Sequence, residues 1–259
     1  MLDQMKISVA LTPKLLREPQ LHAIAVVDVL RATSSLVAMF DSGLLRAIIA
    51  DNLRDARNLA LRNFSLLCGE AKALPIPGFD YGNSPAQFAG LSLKGKSAVL
   101  WTTNGTKAIA AASPSPAVAV AALTNRRAAA ARVLDEAAKR GLDIAIVCAG
   151  LERGTAFGLE DSVTAGAIVE AVHGADSAVV MTDSAWEAMH LWHWYRGDAM
   201  RAFRQSVHGR TLLAMGFEHD LAHAARLDVS DAVPMLTVED GAKTLRVHDR
   251  RQKRAASAG

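Results

Sequence analysis

Of five acids in this chain, Asp28 and Glu70 stand where apolar runs give way to polar turns, Asp80 lies in a proline-rich loop, and Glu160 and Asp161 open a helical stretch. Together they offer hard oxygen donors suited to Mg2+, whereas no Cys or His cluster offers a zinc site. In "AIAVVDVLRATSS" an almost wholly apolar run is interrupted by Asp28 and followed by Arg31, Thr33 and Ser34. A carboxylate there needs a partner, and metal ligation is its simplest role, with nucleophilic attack as an alternative. The plainer reading is that Thr33 or Ser34 caps a helix while Asp28 pairs with Arg31. Glu70 ends the run "FSLLCGE", and Asp80, Asn83 and Ser84 follow in a long loop stiffened by Pro75, Pro77 and Pro85. Long composed loops tend to carry function, although Asp80 and Asn83 could equally bond their own backbone. "WTTNGTKA" places Thr102, Thr103, Asn104, Gly105, Thr106 and Lys107 between a strand and a helix. Hydroxyls and N–H groups can converge there on phosphate oxygens, with Arg31 and Lys107 for further anionic groups. Glu160 and Asp161 open a helix, where acids also favour the helix dipole without any chemistry.

The elements that must position these residues alternate. "AIAVVDVL" precedes "TSSLVAMFDSG", "RAIIA" precedes "LRDARNLALRN", "KSAVLWTT" precedes "NGTKAIAAA", and "AVAVAAL" precedes "NRRAAAARVLDEAAKR". Alternating strand and helix periods predict an α/β protein with three-layer α/β/α architecture, as two lobes with mixed sheets in one compact body. Residues 1–245 read as a single catalytic unit with a candidate subdomain boundary near 113–125, and "EDG" between "PMLTV" and "KTLRV" reads as a closing hairpin. The basic tail, 246–259, is expected to be solvated and disordered. The segment "WEAMHLWHWY" is expected to pack a core rather than an interface, leaving homo-oligomer formation open.

Several function classes are excluded. "GLSLKGKS" fits the phosphate-loop pattern, but its lysine and serine open the strand "SAVLWTT" instead of a helix. Leu30 stands where a D-x-D-x-T phosphatase needs its second Asp, and there is no G-x-S-x-G elbow. "EHDLAH" has Asp220 where H-E-x-x-H needs Glu, so His190, His193, His219 and His223 read as surface or core residues. Lysine and arginine total 29 against 26 acids in 259 residues, too balanced at +3 to argue for nucleic acid. No apolar run approaches the roughly 20 residues of a membrane span, and the start lacks a signal-peptide core, which predicts a cytoplasmic protein. Cys68 and Cys148 lie in apolar runs and support no disulfide framework.

"VVDVLRATSS", "GEAKALPIPGFDYGNSP", "TTNGTKA" and "VCAG" with "LEDSVTAG" resemble, in that order, the motifs of the magnesium-dependent 2-phosphosulfolactate phosphatases, and "ARLDVSDAVPML" is similar to that family's closing segment more loosely. Thr164, Trp101 and Gly158 depart from the family's usual residues without removing a charged or hydroxyl group of the site. The resemblance implies an α/β/α fold of its own and hydrolysis of 2-phospho-3-sulfolactate to 3-sulfolactate and phosphate, in coenzyme M or sulfolactate metabolism. Asp28, Arg31, Glu70 and Asp80 would then be catalytic, and Asp28, Glu70, Asp80, Glu160 and Asp161 would hold Mg2+. Arg31, Asn83, Ser84, Lys107 and Thr102 to Thr106 would bind the small anionic ester. Two alternatives stand beside it: a phosphatase of another phosphorylated hydroxy acid, and a non-catalytic anion sensor.

Overall fold

The computed structural model describes residues 4–247; of the expected disordered tail 246–259 it describes Arg246 and Val247, of which Arg246 ends a strand and bonds Glu239 instead, and the rest lies outside the described residues. The chain begins β1 (Lys6–Ala10), β2 (His22–Val27), α1 (Ala32–Asp41), β3 (Arg46–Ile49), α2 (Leu53–Asn63), β4 (Leu66–Ala71) and β5 (Leu74–Pro75). Next come α3 (Pro85–Ala89), β6 (Ser97–Trp101), α4 (Gly105–Ala112), β7 (Ala117–Ala121), α5 (Arg126–Arg140), β8 (Asp143–Cys148) and α6 (Leu159–Ala175). A short edge strand β9 (Val180–Met181) leads into four helices, α7 (Asp183–Trp194), α8 (Ala199–Gln205), α9 (Val207–Ala214) and α10 (Glu218–Ala224). The hairpin β10 (Met235–Glu239) and β11 (Ala242–Arg246) completes the described chain.

All eleven strands join one mixed sheet in the order β5-β4-β6-β3-β11-β10-β7-β2-β8-β1-β9. Two parallel blocks, β4-β6-β3 and β7-β2-β8-β1-β9, are separated by the β10–β11 hairpin, which pairs antiparallel with β7 on one side and β3 on the other. Asp240 and Gly241 form its two-residue turn, both at positive φ, as the "DG" signal predicts. The expected α/β layering is therefore observed, with both blocks held in a single sheet.

Strand alternation assigns the layers. Ile24, Val26, Val118 and Val120 point to the face covered by α1 and α4, while Ala23, Ala25, Val27, Ala119 and Ala121 point to α5 and α6. In the other block Ala47 and Ile49 share the α1 and α4 face, and Ile48 and Val99 meet α2 on the opposite one. Both faces are covered, which is why β7 reads as the uninterrupted apolar run AVAVA and is buried throughout. Helices α7 to α9 pack outside α6, where Gly166 permits a close crossing: a Cβ there would stand 1.9 Å from the Ala188 carbonyl oxygen. Trp192 and Tyr195 are buried in that layer as expected, whereas Trp186 and Trp194 of the same segment are exposed. No described helix is long and apolar enough to cross a membrane.

Candidate active site

Carboxyl ends of parallel strands, where open α/β sheets gather ligands, deliver the site. β2 ends just before Asp28, β4 carries Glu70 in its last turn of chain, β6 runs into Thr103 and Asn104, and β8 runs into Leu151 and Glu152. These residues line a cavity of about 270 Å³ together with Leu30, Arg31, Lys72, Ala73, Asn83 and, from α9 and the residue that ends it, His208, Thr211 and Met215. His208, Thr211 and Met215 recur at three- and four-residue intervals, so one face of α9 makes a wall.

Asp28 is 7% exposed and accepts the Ala32 N–H on Oδ1 at 3.2 Å, while Thr33 Oγ1 accepts the Asp28 N–H. Burial, with the charges of Glu70 and Glu160 adding to it, pushes its carboxyl up to about 7, against the pull of the Ala32 N–H and Arg31. Gly105 is what admits this carboxylate beside the start of α4, because a Cβ on it would lie 2.6 Å from Asp28 Oδ2. The expected partner of Asp28 is elsewhere. Arg31 donates instead to Asp220 Oδ2 at 2.7 Å and to the Ala73 carbonyl at 2.6 Å, with its guanidinium 4.3 Å above the Phe217 ring. Asp220 also accepts from Ser84 Oγ at 2.5 Å, so α10 clamps the loop that leads into α3.

Glu70 organises the opposite wall. Its Oε1 accepts the Thr103 N–H at 2.7 Å and its Oε2 accepts the Ala73 N–H at 2.7 Å and the Thr103 hydroxyl at 3.3 Å. Asn104 accepts the Arg153 N–H at 2.9 Å, and among the described residues the amides of Asn104 and Gly105 have no acceptor. Glu160 is 2% exposed and its Oε2 has no hydrogen-bond partner among the described residues. Asp161 is differently engaged: Oδ1 accepts the Val29 N–H at 2.9 Å and Oδ2 the Gly150 N–H at 3.1 Å, stapling the ends of β2 and β8. Burial first, then the charges of Asp28 and Glu160, pushes its pKa well up against those two bonds.

Of the residues expected from sequence, the structure thus brings Asp28, Arg31, Glu70, Asn83, Thr103 and Asn104 to one cavity, with Glu160 and Gly105 beside Asp28. It does not bring Asp80, which is exposed near the start of β4 and accepts the Leu67 N–H at 2.8 Å. Thr102 and Thr106 are turned on each other, each hydroxyl accepting the other's N–H, and Ser84 caps α3 by accepting the Gln87 N–H. Lys107 lies outside the cavity lining, its pKa lowered by burial and by Arg153. Lys72 and His208 carry no local signal in the sequence, and Asp220 stands out there only as the mismatch in "EHDLAH", not as a site residue. Burial lowers the pKa of His208, opposed by Glu160 and Glu70. Cys68 and Cys148 are buried free thiols, the first pushed up to about 12 by burial, then by Asp80, which makes them inert packing.

With this geometry in place, comparison with known proteins decides the lineage. A family model described as 2-phosphosulpholactate phosphatase matches residues 10–239. The chain belongs to the 2-phosphosulfolactate phosphatase family. Relatives of this family named "Probable 2-phosphosulfolactate phosphatase" include one from Deinococcus radiodurans, 38% identical over 83% of this chain and 88% of the relative. Another, from Symbiobacterium thermophilum, is 36% identical over 82% of this chain and 90% of the relative. A third, from Carboxydothermus hydrogenoformans, is 30% identical over 92% and 95%.

Among the described residues no three His, Cys, Asp or Glu side chains converge into a complete cage. Mg2+ asks for less, being commonly held by one or two carboxylates with waters and substrate phosphate oxygens. A buried Glu160 oxygen without a partner, beside an Asp28 that resists ionisation, fits that smaller requirement.

Proposed function

We propose that this chain is a phosphoric monoester hydrolase that converts 2-phospho-3-sulfolactate and water to 3-sulfolactate and phosphate, within coenzyme M or sulfolactate metabolism in the cytoplasm. The single observation that carries it is the buried carboxylate group of Asp28, Glu70 and Glu160, left with an unpartnered Glu160 oxygen beside a cavity that the family's motifs line. Asp28 and Glu160 would hold Mg2+, which when bound supplies positive charge to the phosphoryl oxygens and acidifies a water. Phosphoryl transfer through a loose transition state leaves little covalent work for the protein, so positioning and charge dominate. The free amides of Asn104 and Gly105 at the start of α4 bind phosphoryl oxygens, assisted by the helix dipole. Glu70 fixes Thr103 and the Ala73 turn around them. Arg31, held by Asp220 and by the Ala73 carbonyl, lines the same space and keeps Ala73 in place as a wall.

Purified protein is assayed for phosphate release from 2-phospho-3-sulfolactate with Mg2+ and with EDTA, beside a panel of phosphorylated hydroxy acids. Mg2+-dependent release greatest for the sulfolactate ester is expected. Preference for another ester would replace the substrate. Binding without release from any ester would make the protein a sensor.

A further inference from the structure

We propose that Lys72 recognises the anionic group of the substrate remote from its phosphate, and that the β4–β5 turn exists to deliver it; this rests on the phosphate-ester reading of the cavity. Ala71 pairs with Leu74, so Lys72 and Ala73 alone make the turn. Both have left-handed backbones, with φ of +52° and +68°. Two-residue turns of this hand favour Asn-Gly, because a Cβ in that region is sterically costly. Neither residue here relieves that cost, and strain of this kind persists where the surroundings impose it.

The surroundings are the site itself. The Ala73 N–H donates to Glu70 Oε2, and the Ala73 carbonyl accepts from Arg31. Lys72 is thereby set in the cavity wall, where it is exposed and makes no hydrogen bond or ion pair among the described residues. Arg31, the neighbouring cation, is already matched by Asp220. The buried Asp28 and Glu70 mark the floor with the start of α4, which is the phosphate end. An ester bearing further negative charge therefore meets its unmatched cation at the rim. A lysine ammonium, a compact charge on a flexible stem, suits a sulfonate or carboxylate there.

The test compares wild type with Lys72→Met, Lys72→Arg and Lys72→Asn. Turnover is measured on 2-phospho-3-sulfolactate and on 2-phospholactate, which lacks the sulfonate, and 3-sulfolactate binding is measured by calorimetry. Lys72→Met is expected to raise KM and weaken 3-sulfolactate about tenfold or more, with a smaller effect on kcat and substantial rescue in Lys72→Arg. A KM increase confined to the sulfonated ester assigns the contact to the sulfonate; an equal increase for both assigns it to the carboxylate. Lys72→Asn should lose the same affinity while Tm holds or rises, since Asn tolerates the left-handed turn. Unchanged KM and unchanged 3-sulfolactate affinity in Lys72→Met overturn the assignment, as does a loss that tracks a falling Tm and is not rescued by Arg. Product binding needs no turnover. A wild type that binds 3-sulfolactate through Lys72 but releases no phosphate ends the phosphatase reading alone, whereas a wild type that does not bind it ends this one.

Discussion

The carboxyl of Asp28 couples pH to folding. Its folded pKa of about 7 lies above the 3.8 of a free aspartate, so between those values the folded protein holds a proton that the unfolded chain releases. Stability contributed by this group is therefore present at acid pH and lost as pH rises through about 4 to 7. The full loss is on the order of 4 kcal/mol, taken at about 1.4 kcal/mol per unit. Asp28→Asn, which keeps an oxygen for the Ala32 N–H, should flatten this dependence. In EDTA, urea midpoints of the variant should exceed those of wild type at pH 8 and converge with them near pH 4. A wild-type advantage at pH 8 would mean that Asp28 is paired favourably when charged. The same residue shows why buried acids in such a site are costly to keep and informative to find. Without a compensating cation, the charges of Glu70 and Glu160 oppose the ionisation of Asp28.

At the scale of elements, strand ends are held together by side chains that resemble site residues in sequence and act as fasteners in space. Asp161, from the first turn of α6, accepts N–H groups from the segments after β2 and β8. Asp161→Ala leaves two buried donors unmatched and should cost about 2–4 kcal/mol, visible as a lower Tm, with the Mg2+ concentration for half-maximal activity within about twofold of wild type. A large rise in that concentration with little change in Tm would make Asp161 a metal ligand instead. This division also explains what the sequence disclosed. Asp28, Glu70, Thr103 and Asn104 were legible because a polar residue closing an apolar strand is an anomaly with a short list of causes. Asp80, Thr102 and Thr106 stand in equally polar stretches but satisfy backbone groups, and only the geometry separates the two uses. Asp220, His208 and Lys72 left no local trace of a site role: the first two arrive from helices far along the chain, and the third depends on how a two-residue turn is aimed.

For the whole molecule, the decisive feature is that one sheet carries both parallel blocks, with neighbouring residues of a strand serving opposite cores, as Ile24 and Ala25 do. The α/β alternation was readable from sequence, whereas strand order was not, because the order depends on the distant pairings of β10 and β11. The blocks should unfold together. Trp101 reports on β6, and Trp186, Trp192 and Trp194 report on α7, so single-tryptophan variants followed through urea should give coincident midpoints. Two separated midpoints would divide the chain into independently folding units. The central hairpin also orders events during synthesis. β3 and β7 are made before the hairpin, and each lacks a neighbour on the side facing the other until β10 and β11 are inserted between them. On the ribosome the nascent chain therefore carries two open strand edges from the completion of β7 until β10 is made. That interval is when a chaperone has the most to shield, and when a stall upstream of Met235 would expose the most adhesive surface.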